Sequence, residues 1–111
     1  MTTNNNLPLS EQFRLIAKRW CESDAAARLL EETKHDRLSQ FMQDLIKRDG
    51  DMPNATAERL VRAGEDWRRE TVERVKGRTE ANRLKLQLEY IRMQFSERQS
   101  FEATKRAEMK L

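Results

Sequence analysis

The chain has almost no punctuation. Two prolines and three glycines are spread over 111 residues, too few for a fold of many short strands, each of which needs a turn. A single cysteine, Cys21, excludes an intrachain disulfide and a cysteine-only metal site. No apolar run approaches the ~20 residues that cross a bilayer. The N-terminal "MTTNNNLPLS" lacks the charged and apolar segments of a secretory leader. These absences predict a cytoplasmic protein with no membrane segment.

What remains is charge and helix-forming residues. Charged side chains make up 37% of the chain and the hydrophobic set another 37%. That is too apolar for wholesale disorder and thin for one large core. A composition rich in Ala, Glu, Lys, Leu and Arg predicts long helices. The net charge of +3 is uneven. Residues 1–52 carry 8 basic and 9 acidic groups, which leaves 14 and 10 of the chain's 22 and 19 for residues 53–111.

Residues 1–9, which open with the polar "MTTNNN", are expected to form a disordered tail. Helix one is expected over residues 10–47, with Ser10 as N-cap and Phe13, Ile16, Trp20, Ala27, Leu38 and Phe41 at helical spacing. A second cap at Ser23 or Asp24 would break it there and make three helices. "RDGDMPN" supplies the turn, residues 48–54, with Gly50 just past the helix end and Pro53 blocking continuation. Helix two is expected over 55–108 without a break, since Gly64 and Gly77 cost only about 1 kcal/mol each relative to Ala. The expected fold is all-α: a long antiparallel, coiled-coil-like hairpin with an overhanging C-terminus and a tendency to oligomerise. Folding at the turn sets Trp67 near His35 and Asn82 near Trp20.

The segment "RLKLQLEYIRMQF", residues 83–95, alternates like a half-buried strand. No second strand or hairpin turn is available to pair with it, and both flanks are good helix formers. On a helix it presents two apolar faces. Leu86, Tyr90 and Met93 continue upstream through Thr79, Val75, Val72 and Val61, and are the expected seam against helix one. Leu84, Leu88, Ile91 and Phe95 form the opposite face, which meets only Ala81, Gly77 and Glu73 upstream. This second face is the expected self-association patch, because a helix with two apolar faces must bury both.

Several constellations carry weaker chemistry. Glu32-x-x-His35 has the spacing of one carboxylate–histidine pair of a di-iron bundle. The further inward Glu that such a site needs is missing from helix two, so no metal and no cofactor are expected. The pair is retained as a partner site. Cys21 and His35 would lie roughly 21 Å apart along one helix at ~1.5 Å per residue, too far for nucleophile and base, and Cys21 reads as a small buried or half-buried filler. With no glycine-rich phosphate loop and no paired-carboxylate cleft, the chain is expected not to be an enzyme. Arg62, Arg69, Lys76 and Arg83 recur every seven residues on one flank of helix two, an arrangement that can follow phosphates. Acids interleave with them, and such ladders are usually solvated ion pairs. Nucleic acid is thus the alternative partner to an unidentified protein or a second copy.

The polar run "EETKHDR", residues 31–37, interrupts the stripe of helix one. Its charges must be paired across the seam, or the helix must bend away. The texture of "DAAARLLEETKHDRLSQFM" and "FSERQSFEATKRAEMKL" is similar to that of small helical accessory proteins encoded by phages and prophages. That resemblance implies an assembly factor, an adaptor or an inhibitor.

Overall fold

The computed structural model describes residues 6–110. The first five residues of the expected tail lie outside them. Its last residue, Leu9, is buried and opens helix α1 (Leu9–Glu32), with Pro8 as the flanking cap. The Pro8 carbonyl accepts from the amides of Glu11 and Gln12. Helices α2 (Lys34–Asp49), α3 (Asn54–Arg62) and α4 (Glu65–Met109) follow. The architecture is a helical hairpin, 84 × 27 × 17 Å, with a radius of gyration of 23.5 Å. A compact chain of this length would have about 13 Å. Among the described residues there is no strand, and residues 83–95 are helical throughout.

α1 runs unbroken through Ser23, so the break considered there does not occur. It comes ten residues later, at Thr33, inside the polar run. The Thr33 hydroxyl donates to the Leu29 carbonyl at 2.7 Å, a back-bond that bends helices. The backbone ladder survives, with Thr33 N–H donating to Leu29 O and Arg37 N–H to Thr33 O. The helix is interrupted at Thr33, and two of the five charged residues of the run are paired across the seam: Glu31 with Arg78 and Arg37 with Glu70.

Gly50, at φ 96°, closes α2 by donating to the Ile46 carbonyl. That is a backbone shape favoured by glycine. The expectation of one continuous second helix fails at Gly64. Its backbone is extended there (φ −84°, ψ 159°) and caps α4, whose first turn carries Glu65 and Asp66. Acidic residues after a glycine favour the positive end of a new helix, which outweighs simple continuation.

α1 lies along α4, while α2 packs mainly on α3. The buried residues of α4 explain the seam. Trp67, Arg74, Ala81 and Leu88 recur every seven residues, and Leu84 and Ile91 form a second such row. A strict seven-residue repeat is the spacing of a coiled-coil seam. Ala27 and Ala81 are fully buried, and a Cβ placed on Gly77 would stand 3.9 Å from Ala27. The backbones thus approach closely at mid-seam. Towards the turn they diverge, and large side chains bridge the gap. Phe41 meets Trp67 edge-on at 6.2 Å between ring centroids, and the Arg74 guanidinium lies 4.6 Å from the Trp67 ring centre. Phe41 therefore occupies the place expected for His35, a shift of under two helical turns.

Candidate interaction surface

The two faces of residues 84–95 are exchanged relative to expectation. Leu84, Leu88 and Ile91 are buried and Phe95 is half-buried, so the proposed self-association patch is the intramolecular seam. The expected seam faces outward instead. Leu86 is 66% exposed, Val75, Tyr90 and Met93 are each 60% exposed, and Val72 is 43% exposed. The physical reason is close approach. Small residues at Gly77 and Ala81 let α1 come within packing distance on the Leu84 side. The Leu86 side meets Thr79 and Asn82, which offer neither a groove nor a continuous apolar row. Counting large apolar residues upstream overlooked that small ones extend a seam as well as large ones do.

The arginines divide into two sets. Arg78 reaches across the seam to Asp24 at 2.8 Å and to Glu31 at 2.6 Å. These hydrogen bonds hold both carboxyls below their usual range and raise the guanidinium above its own. Arg74 is buried on Trp67, and Arg92 stacks over Phe13 at 5.5 Å. These three build the hairpin, a role that sequence reasoning missed. Arg74 could have been found, since it stands in the seven-residue row between Trp67 and Ala81. The second set is the expected phosphate-contacting row. Arg62 pairs with Glu58, Arg69 with Asp66, Lys76 with Glu73 and Arg83 with Glu80, at 2.6 to 3.8 Å. Each cation is solvent-facing and shares its charge with an acid three or four residues away. Hydrogen bonding to Arg83 holds Glu80 below the usual carboxylate range.

Glu32 and His35 are exposed on either side of the Thr33 bend. Cys21 is exposed, which corrects its reading as a buried or half-buried filler. Trp20 beside it is half-buried. Where α2, α3 and α4 meet, an open cleft of about 310 Å³ is lined by apolar residues including Phe41, Leu45 and Trp67 and by the charged Asp44, Arg48, Glu65 and Asp66. The cleft contains no nucleophile–base pair. Among the described residues no three His, Cys, Asp or Glu side chains converge as a metal site, and no helix is long and apolar enough to cross a membrane.

The last turns of α4 extend beyond the hairpin. With Phe13 level with Arg92, α1 ends opposite Ser96, and residues 96–110 are all exposed. Phe101 is 66% exposed there. The outward residues Val72 and Val75, then Leu86, Tyr90 and Met93 beyond Thr79 and Asn82, lie with this extension on one side of a 45-residue helix. Comparison of the chain with protein families, with curated proteins and with solved structures gives no match.

Proposed function

We propose that this chain is a non-enzymatic interaction module, a stiff helical hairpin that presents the outward side of α4 to another protein surface. The observation that carries this reading is the stripe Val72, Val75, Leu86, Tyr90 and Met93, which the hairpin leaves uncovered. Isolated apolar side chains on a surface need no explanation, but a stripe along one helix face is an interaction signature. Tyr90 adds a large ring with a polar tip, a side chain enriched where protein surfaces meet. Helix-on-helix docking, read as anchors at three- and four-residue intervals, is the recognition mode this face fits. An adaptor, inhibitor or assembly role follows from such a module.

Nucleic-acid binding by the Arg62, Arg69, Lys76 and Arg83 row would require each of these side chains to exchange its carboxylate for a phosphate. Such binding would fall linearly in log K against log salt.

The test is the double substitution Leu86→Asp with Tyr90→Asp. Neither side chain is buried in the hairpin, so helicity and melting temperature should hold. Association measured by sedimentation, and proteins retained from an extract of the source cell, should both be lost. Identical behaviour of the variant and the natural chain in both assays would overturn the reading. Nucleic acid retained on purification, and released by salt, would transfer the function to the basic row.

A further inference from the structure

We infer that the outward stripe of α4 pairs with the same stripe of a second copy, antiparallel, about a two-fold axis between Asn82 and Arg83. This inference rests on the interaction reading above and names its partner.

The spacing carries it. Val72, Val75 and Thr79 are separated by three and then four residues; Leu86, Tyr90 and Met93 are separated by four and then three. The two halves are mirror images. A two-fold contact must be self-complementary, so that if one residue meets another, the reverse also holds. Setting two copies head to tail about the centre of the stripe places Val72 opposite Met93, Val75 opposite Tyr90 and Thr79 opposite Leu86, each pair occurring twice. Every pair joins a smaller side chain to a larger one, which keeps the filled volume even along the interface. Asn82 falls next to the axis, where a lone polar residue fixes register and orientation at some cost in stability.

Charge also differs between the two directions. A parallel, in-register pair would bring one flank of the stripe, with Lys76 and Arg83, against the other flank, with Arg78 and Lys85. Like charges would then be juxtaposed along the contact. The antiparallel pair brings each flank against its own inverted copy. Arg83 then comes within two residues of level with Glu80, as Lys76 does with Gln87 and Arg69 with Gln94. On the other side Arg78 is level with Gln87, two residues from both Lys85 and Glu89. Arg83 comes within one residue of level with its own counterpart at the axis, each keeping Glu80 beside it, and Arg78 is held by Asp24 and Glu31 of its own hairpin.

Extent agrees as well. The stripe is about 33 Å long at ~1.5 Å per residue, on a helix about 10 Å across. Covered together with its flanks, it buries on the order of 600–800 Å² per copy, which reaches the lower part of the range for specific interfaces. The same register sets Phe101 of one copy level with Gly64 of the other, close to Leu60, which is 47% exposed. The overhang, which meets no other described residue of its own hairpin, thereby gains a partner.

Cysteine pairing tests the geometry, with the native exposed thiol removed by Cys21→Ser in every variant. Mixing Val72→Cys with Met93→Cys under mild oxidation should give a cross-linked heterodimer, while Val72→Cys alone should give none. Val75→Cys with Tyr90→Cys repeats the test one turn inward. The natural chain should sediment as a concentration-dependent dimer across the micromolar range, and Leu86→Arg should sediment as a monomer of unchanged helicity. Efficient cross-linking of Val72→Cys to itself would overturn the antiparallel arrangement. A natural chain that stays monomeric at every concentration would overturn the dimer. In that case the double Asp variant separates the two failures. If it still loses a captured protein, the module reading stands without the dimer; if it loses nothing, both fall.

Discussion

Gly77 stands where α1 and α4 approach closely, a place where a glycine is ordinarily taken to be indispensable. The geometry says otherwise. A Cβ at this position would lie 3.8 Å from Leu30 Cδ1 and 3.9 Å from both the Cα and Cβ of Ala27, which is ordinary van der Waals contact. Gly77 is also deep inside a helix, with twelve residues of α4 before it and more than thirty after. Exchanging glycine for alanine in a helix interior gains about 1 kcal/mol, partly by restricting the unfolded chain. A half-buried methyl against Leu30 and Ala27 adds a fraction of the ~0.8 kcal/mol of a fully buried one. Gly77→Ala should therefore stabilise by about 1 kcal/mol, a rise in melting temperature of roughly 4–6 °C for a chain of this size. Thermal melts by far-ultraviolet circular dichroism at fixed protein concentration would measure it, since association would shift the midpoint. Gly64→Ala serves as the contrast. Its Cβ would stand 3.3 Å from the Val61 carbonyl oxygen, so no comparable gain is expected. A Gly77→Ala variant that melts lower than the natural chain would show that α1 and α4 pack more tightly than described, and that the seam requires glycine.

Trp67→Ala removes the side chain that bridges the splayed end and should cost about 3–5 kcal/mol, seen as a large drop in the urea midpoint. Arg78→Met should destabilise the hairpin at neutral pH and much less in acid. The folded-state carboxyls of Asp24 and Glu31 are lowered by Arg78, so their stabilisation is present above the ordinary carboxylate value near 4 and is lost as pH falls through the lowered one. Melts of both chains should draw together progressively as the pH falls below about 4. Deleting residues 97–111 should change monomer stability by no more than about 0.5 kcal/mol, because the described part of that segment is exposed throughout. In hydrogen exchange, amides of residues 31–37 at the Thr33 bend should exchange faster than those of residues 41–46.

The hairpin was legible because its signals are local. Gly50 and Pro53 mark the turn, and the scarcity of other breakers leaves little besides helix. The facing of α4 was not legible from apolar residues alone. It depends on Ala27, Gly77 and Ala81, whose value lies in letting backbones approach, and on Arg74, whose guanidinium lies on Trp67 as an apolar residue might. Periodicity scored on hydrophobicity assigns none of these to a seam. The break at Gly64 was misread because a glycine's propensity cost was weighed without the two acids that follow it. The bend at Thr33 depends on a hydroxyl back-bond, which residue type permits but does not dictate. Ion pairs at three- and four-residue spacing were readable in advance; the cross-seam reach of Arg78 to Asp24 and Glu31 required the register between helices, which the turn alone sets only to within about two turns.

The elongated shape makes the molecule close to one-dimensional, with each level of α1 and α4 touching only the level opposite. Separation in sequence between facing residues grows steadily away from the turn, from Phe41 and Trp67 to Phe13 and Arg92. The entropy of closing the intervening chain grows with it, though slowly. The pairs nearest Gly50 close the shortest loops and should form first, with the rest zipping toward the N-terminus. Dissolution runs in reverse, starting where Phe13 meets Arg92. Such a molecule does not switch as a unit. Its N-terminal end can fray and reseat while the Trp67 end stays closed, so a partner that grips the open end could pry the hairpin apart without ever unfolding the turn.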